Sequence, residues 1–223
     1  TLALWLPFAL RLESIWSIPL SQQGMGTIVA NYDGPLYIVV AKTLYAVDAI
    51  KANYSFPLPV EYYAAHFPLF PLLIRLFAPI TGYPYSMLFV TVLSSFIGIY
   101  YFYLFIQDFV KKEDALFVTL LFAIFPARWL ISRSVGSADP LFTTAVLAST
   151  YHFRKKQYLP SGIWGAVAQL TKSAGMLLFI SYLIVLAIPK IKKLITGSIG
   201  KWVESLGLKK TYPIIVYYKF MEI

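Results

Sequence analysis

The sequence contains no cysteine and only two histidines. Disulfides and thiolate metal sites are excluded, and too few ligands remain for a protein-only zinc centre. Charge is scarce as well. Asp, Glu, Lys and Arg make up 13% of the 223 residues, against about 25% in an ordinary soluble domain. There is no Gly-rich phosphate loop, no His-x-x-x-His pair and no pair of carboxylates within one short motif. No array of acids within apolar runs marks an ion path, which argues against a pump. Soluble domains, internal repeats and low-complexity tracts are also missing.

What is present is apolar. Hydrophobic residues reach 59% and aromatic residues 17%, with a mean hydropathy of +0.69. A soluble fold of this length cannot hide so much apolar surface, so the excess must face lipid. The net charge of +9 fits the Lys and Arg that membrane proteins gather in cytoplasmic loops, and nucleic acid is not expected as a partner. The expected class is all-α: a polytopic transmembrane helical bundle, one domain over residues 1–223.

A spanning helix needs about 20 apolar residues. Residues 86–106 form the cleanest span, and residues 115–131 a second, interrupted by Pro126 and Arg128. Residues 140–153 and 161–171 are short and rich in small side chains, as suits an interior helical pair. Residues 174–189 read as another span, and residues 212–218 as the start of a further helix. Residues 1–12 read as the tail of a truncated first helix, because the chain opens inside an apolar run without Met.

Basic clusters follow alternate spans: Lys111 and Lys112, then Arg154 to Lys156, then Lys190 to Lys193. All three can face the cytoplasm. Residues 13–82 then form a long first external loop, residues 83–189 the transmembrane helices, and residues 190–211 a basic cytoplasmic loop. Counting residues 66–81 as a crossing would put every basic cluster outside. That segment, with Pro68, Pro71, Pro79 and Arg75, is therefore read as an interfacial or re-entrant helix.

So few acids allow each to be weighed. Asp33 lies in Asn31-Tyr32-Asp33-Gly34-Pro35-Leu36-Tyr37, where a Gly-Pro turn would hold its carboxylate at the membrane surface. The competing reading is a cap for a helix beginning at Pro35. Asp139 precedes Pro140, and the favoured reading there is an N-cap. The second outer loop holds Arg128 and Arg133 along with Asp139; the arginines either snorkel to the interface or bind a phosphate through a planar fork. Lys172 sits at an external helix junction and breaks the positive-inside pattern, with the same two explanations. His66, alone among apolar residues, is more simply a packed side chain than a ligand.

Taken in order, these motifs resemble a family. A long first external loop with an acid just after helix one is the hallmark of the GT-C class of membrane glycosyltransferases. Asp33-Gly34-Pro35-Leu36-Tyr37 resembles the Trp-Asp-Gly-x-x-Tyr pattern of the GPI mannosyltransferase II family and its prokaryotic relatives. Residues 66–73 are similar to its Phe-x-Pro-x-x-Pro-Leu-Leu element, and residues 137–142 with 154–175 to its later helix, basic loop and Thr-Arg-x-x-Gly stretch. Tyr32 stands where Trp is common, Asp139 where Glu is common, and Lys172 where Arg is usual. The C-terminal helices of that family are missing, so a fragment or a short member is expected.

The resemblance implies transfer of a sugar, mannose by family likeness, from a polyprenyl-phosphate donor at the external or lumenal face. Asp33 is then the general base. Arg128, Arg133 and Lys172 hold the donor phosphate. His66, Tyr37 and Asp139 position substrate. No cofactor or metal is required. The implied partners are the lipid-linked donor, a glycan, lipid or protein acceptor, the bilayer, and subunits of a larger complex. The expected location is a plasma membrane, with the endoplasmic reticulum membrane as the alternative. A rival reading is a non-catalytic membrane subunit, or a lipid-carrier transporter of the flippase type.

Overall fold

The computed structural model describes residues 1–55, 58–125 and 127–189, apart from the side chains of Ala127 and Arg128. The expected cytoplasmic loop at 190–211 and the helix start at 212–218 lie outside the described residues. Thr1–Leu178 forms one compact unit, and a second begins at Phe179.

The first unit is mostly helical. Its helices are α1 (Leu2–Ala9), α2 (Met25–Val29), α3 (Gly34–Thr43), α4 (Val47–Asn53), α5 (Leu69–Ile106), α6 (Lys112–Ile124), α7 (Ala127–Ser132), α8 (Asp139–Arg154) and α9 (Tyr158–Thr171). A 3₁₀ turn covers Val60–Ala65. A two-residue antiparallel hairpin pairs Ser14–Ile15 with Ile18–Pro19, a small departure from an all-α chain. A further apolar helix covers Gly175–Pro189.

Helix α5 organises the fold. Among the described residues it is the one helix long and apolar enough to cross a membrane. A straight helix of 38 residues would measure about 57 Å, well beyond a hydrocarbon core of about 30 Å. It is not straight. Gly82 adopts φ 76° and ψ 157°, between Pro79 and Pro84. Only glycine takes that backbone readily, and each proline removes a ladder hydrogen bond, so the helix breaks there. The stretch after Gly82 alone is roughly 36 Å long.

Helix α6 starts with Glu113 and Asp114 in its first turn, complementing the helix dipole. It stops at Phe125, whose extended φ −113° and ψ 149° are the conformation that a following proline imposes. The expected span over 115–131 is thus two helices, α6 and α7. Large apolar side chains on α6 stay uncovered, among them Leu116, Phe117, Leu120 and Ile124. Lipid tolerates such a face and water does not.

Helix α8 packs between α5 and α9 through small residues. Thr144 Oγ1 donates to the Ser94 carbonyl at 2.6 Å. A Cβ at Gly98 would lie 2.4 Å from the same Oγ1, so only glycine lets the two helices come this close. On the other face, Ser149 Oγ donates to the Ser161 carbonyl at 2.8 Å. The C-terminal end of α8 is pinned by Asp108, which pairs with Arg154 at 3.3 Å and Lys155 at 3.0 Å. Asp139 opens the opposite end, roughly 24 Å away along the helix axis.

The main core gathers Tyr37, Ala41, Phe70, Ile74, Met87, Val90, Ala138 and Leu141. These come from α3, both parts of α5, and the start of α8. Arg75 caps α3: its Nη1 donates to the carbonyls of Ala41 at 2.9 Å and Lys42 at 3.0 Å. Carbonyls at a helix end that have no partner in the ladder are satisfied this way.

Candidate functional site

A cavity of about 170 Å³ opens where the start of α3, the loop after α7 and the end of α9 meet. Its walls include Tyr32, Asp33, Tyr37, Ser132, Ser137, Asp139 and Lys172. Each wall has a local cause.

The Asp33 wall comes from a forced turn. Tyr32 has φ 50°, in the left-handed region, which costs a non-glycine residue roughly 1–2 kcal/mol. Asp33 occupies the N-cap position of α3, with Pro35 in the first turn. Yet its carboxylate makes no cap hydrogen bond, and the residue is exposed. The capping explanation therefore fails, and the carboxylate is open to a ligand.

The opposite wall is the loop before α8. Thr91 Oγ1, on α5, donates to the Ser137 carbonyl at 3.2 Å and lies 3.4 Å from the Ser137 amide that donates to it. Trp5 Nε1 donates to the Ser134 carbonyl at 2.6 Å. Asp139 departs from the sequence reading: Ala138, not Asp139, is the N-cap of α8, and no side chain caps the helix. The Asp139 amide donates to Ser137 Oγ at 3.1 Å. The carboxylate turns the other way, to the Lys172 ammonium and to Ser132 Oγ at 3.4 Å. An Asp-Pro pair at a helix start looks like a cap in sequence, but a cation 33 residues later competes for the carboxylate and wins.

Two glycines bring the walls together. A Cβ on Gly34 would lie 2.5 Å from the Val29 carbonyl oxygen and 3.2 Å from Met87 Cε. A Cβ on Gly136 would lie 2.2 Å from the same Cε. Met87 is fully buried, so at both positions glycine alone fits beside the same side chain. The missing side chains let the Asp33 turn and the Asp139 loop come together over Met87.

Tyr37 is buried at the cavity's base and makes edge-to-face contacts with His66 at 4.8 Å and Phe70 at 4.9 Å between ring centroids. Burial first, and then the charges of Asp33 and Asp139, push its phenol well above the usual tyrosine range. It stays protonated and can donate a hydrogen bond into the cavity. His66 sits one ring behind Tyr37, 3% exposed, with its Nδ1 buried and without a hydrogen-bond partner among the described residues. Burial lowers its pKa, although Asp33 opposes the shift. The ring is therefore neutral at neutral pH.

That direction fixes a pH dependence. A histidine whose folded pKa is depressed contributes stability that is present above the unfolded value of about 6.5. The contribution is lost as pH falls through the folded value, because the unfolded chain then binds the extra proton. The His66→Phe protein is expected to lose less thermal stability than wild type between about pH 7.5 and 5. Parallel losses in the two proteins would show that His66 does not carry the effect.

Asp33, Tyr37, Asp139 and Lys172 thus share one cavity, with His66 behind it. Arg133 is not among its walls. Its Nε is buried without a partner among the described residues, and burial lowers its pKa. The Arg128 side chain lies outside the described residues. Sequence reading passed over Ser132, Ser137 and Gly136. The short Ser134-Val135-Gly136-Ser137 run before Asp139 was the signal available for the last two. Chemically, the cavity offers an open carboxylate, an ammonium held by a second carboxylate, and several hydroxyls, a set suited to a polyhydroxylated substrate.

Residues 65–217 match a family model, and the class of that model is the membrane glycosyltransferases of the GT-C type. Its description is dolichyl-phosphate-mannose-protein mannosyltransferase, and the chain belongs to that family. No curated protein and no solved structure matches the chain. The matched stretch contains His66, Arg128, Arg133, Asp139 and Lys172, whereas Asp33 and Tyr37 precede it.

Proposed function

We propose that this membrane glycosyltransferase moves mannose from a polyprenyl-phosphate donor to an acceptor hydroxyl at the external or lumenal face. The family's description names dolichyl-phosphate-mannose and protein. The motif order around Asp33, His66 and Lys172 extends the likeness to the GPI mannosyltransferase II family. The observation that carries the reading is the exposed, uncapped carboxylate of Asp33 in one cavity with the Lys172 ammonium.

The roles follow from charge. The acceptor oxygen attacks the anomeric carbon, its proton goes to Asp33, and the bond from that carbon to the phosphate oxygen breaks with its electron pair on the phosphate. The leaving polyprenyl phosphate needs fixed cations in a site of low dielectric. Lys172 supplies one from the cavity wall, and Arg128 and Arg133 are assigned the part of the phosphate that lies beyond that wall. Asp139 holds Lys172 in place before the phosphate arrives. Tyr37 donates to substrate, and neutral His66 backs the Tyr37 ring. This chemistry belongs to the outer side if residues 13–82 form the first external loop, residues 83–189 the spans and residues 190–211 a cytoplasmic loop. The plasma membrane is the proposed location.

The test is donor choice. Purified protein in lipid nanodiscs, given a mannoside or a Ser/Thr peptide as acceptor, is expected to transfer labelled mannose from dolichyl-phosphate mannose and not from GDP-mannose. Use of the nucleotide sugar, or no transfer from the lipid-linked donor, rejects the proposal.

A further inference from the structure

The aromatic wall residue with no part in the chemistry above is Tyr32. It is 69% exposed, yet it lines the cavity directly beside Asp33. Its backbone is held at φ 50°. Of the seven non-glycine residues with positive φ among the described residues, it is the one on the wall of this cavity. Glycine would take this turn without strain. A large ring kept in a strained backbone at the rim of a site points to a use for the ring.

We infer that Tyr32 is a sugar platform: its ring packs against the apolar face of a pyranose whose hydroxyls reach Asp33, Ser132, Ser137 and Asp139. The inference rests on the glycosyltransferase reading and deepens it. An aromatic ring carries negative charge on its face. The axial C–H bonds of a pyranose present a weakly positive, apolar face that matches it. The rest of the cavity supplies what the sugar's rim needs, namely two carboxylates as acceptors and several hydroxyls as either donor or acceptor. Charge points the same way. The walls carry two carboxylates against one ammonium, so the space beside Tyr32 suits a neutral polyol better than the phosphate. The tyrosine hydroxyl is not needed for stacking, so phenylalanine serves equally.

The experiment separates the ring from the strain. Tyr32→Gly removes the ring and relaxes the backbone, so the protein is expected to keep or gain thermal stability. In the same protein, affinity for a sugar should fall about tenfold, the scale of one aromatic contact. Tyr32→Phe should bind like wild type. Binding is read by saturation-transfer NMR on the protein in nanodiscs, with methyl α-mannopyranoside, dolichyl-phosphate mannose and sugar-free dolichyl phosphate as probes. Weaker binding of dolichyl-phosphate mannose with unchanged binding of dolichyl phosphate puts the donor's own sugar on Tyr32. Weaker binding of the free mannoside puts an acceptor sugar there. Either result supports the platform. Unchanged affinity of Tyr32→Gly for both sugars, or equal loss for sugar-free dolichyl phosphate, overturns it. The glycosyltransferase reading itself stands or falls separately, on transfer by the wild-type protein.

Discussion

Asp33→Asn is expected to lower mannose transfer about 100- to 1,000-fold, the share of a rate that one placed general base supplies. The loss should appear in kcat. Asparagine keeps the shape of the side chain and its hydrogen bonds to substrate but cannot take the acceptor's proton. Stability should stay within about 0.5 kcal/mol of wild type, as for a surface position that makes no special contact. The structure gives this second half its force. Asp33 sits at an N-cap position without using its side chain as a cap, so its replacement removes no hydrogen bond from α3. Had it been a cap, even alanine would cost about 0.5–2 kcal/mol. A variant that still transfers sugar at the wild-type rate removes Asp33 from the mechanism. One that loses activity and stability together makes it structural. The measurements are initial rates with dolichyl-phosphate mannose and thermal unfolding in the same detergent.

The second large effect is expected at a residue with no chemistry. Gly136→Ala pushes a methyl group to 2.2 Å from Met87 Cε, inside a core where Met87 is fully buried. Overpacking of this kind costs about 1–3 kcal/mol. Because Gly34 leaves no room for a Cβ beside the same methionine, a shift of Met87 should reach the Asp33 turn, and transfer should fall with stability. Met87→Ala alone opens a cavity and costs about 2–5 kcal/mol. Combined, the two changes should destabilise by clearly less than their sum, since each relieves the other. Additive losses in thermal unfolding would mean that Gly136 and Met87 do not press on one another.

Much of the site was readable because the chain spends charge so sparingly. With ten acids in 223 residues, Asp33 and Asp139 stood out, as did Lys172, a cation apart from the three basic clusters. The break in α5 was foreshadowed by Pro79, Gly82 and Pro84. The sequence was silent where three dimensions decide. Nothing local announces that Asp139 will choose Lys172 over its own helix end, or that Arg75 will reach back to the carbonyls of Ala41 and Lys42. Ser132, Ser137 and Gly136 offered at most a short Ser-x-Gly-Ser run, and their meaning comes from α5, which holds the loop through Thr91. Arg133 was expected at the phosphate, but it is not on the cavity wall, and its Nε is buried.

Helix α3 is fastened on both sides of the bend in α5. At one end Gly34 abuts Met87, beyond Gly82; at the other, Arg75, before Gly82, grips the last carbonyls. Glycine alone would leave that joint free to swivel, and α3 acts as a splint across it. The angle of the elbow and the location of the carboxylate at Asp33 are therefore a single mechanical coordinate. Flexing the first without shifting the second would require the splint to come loose.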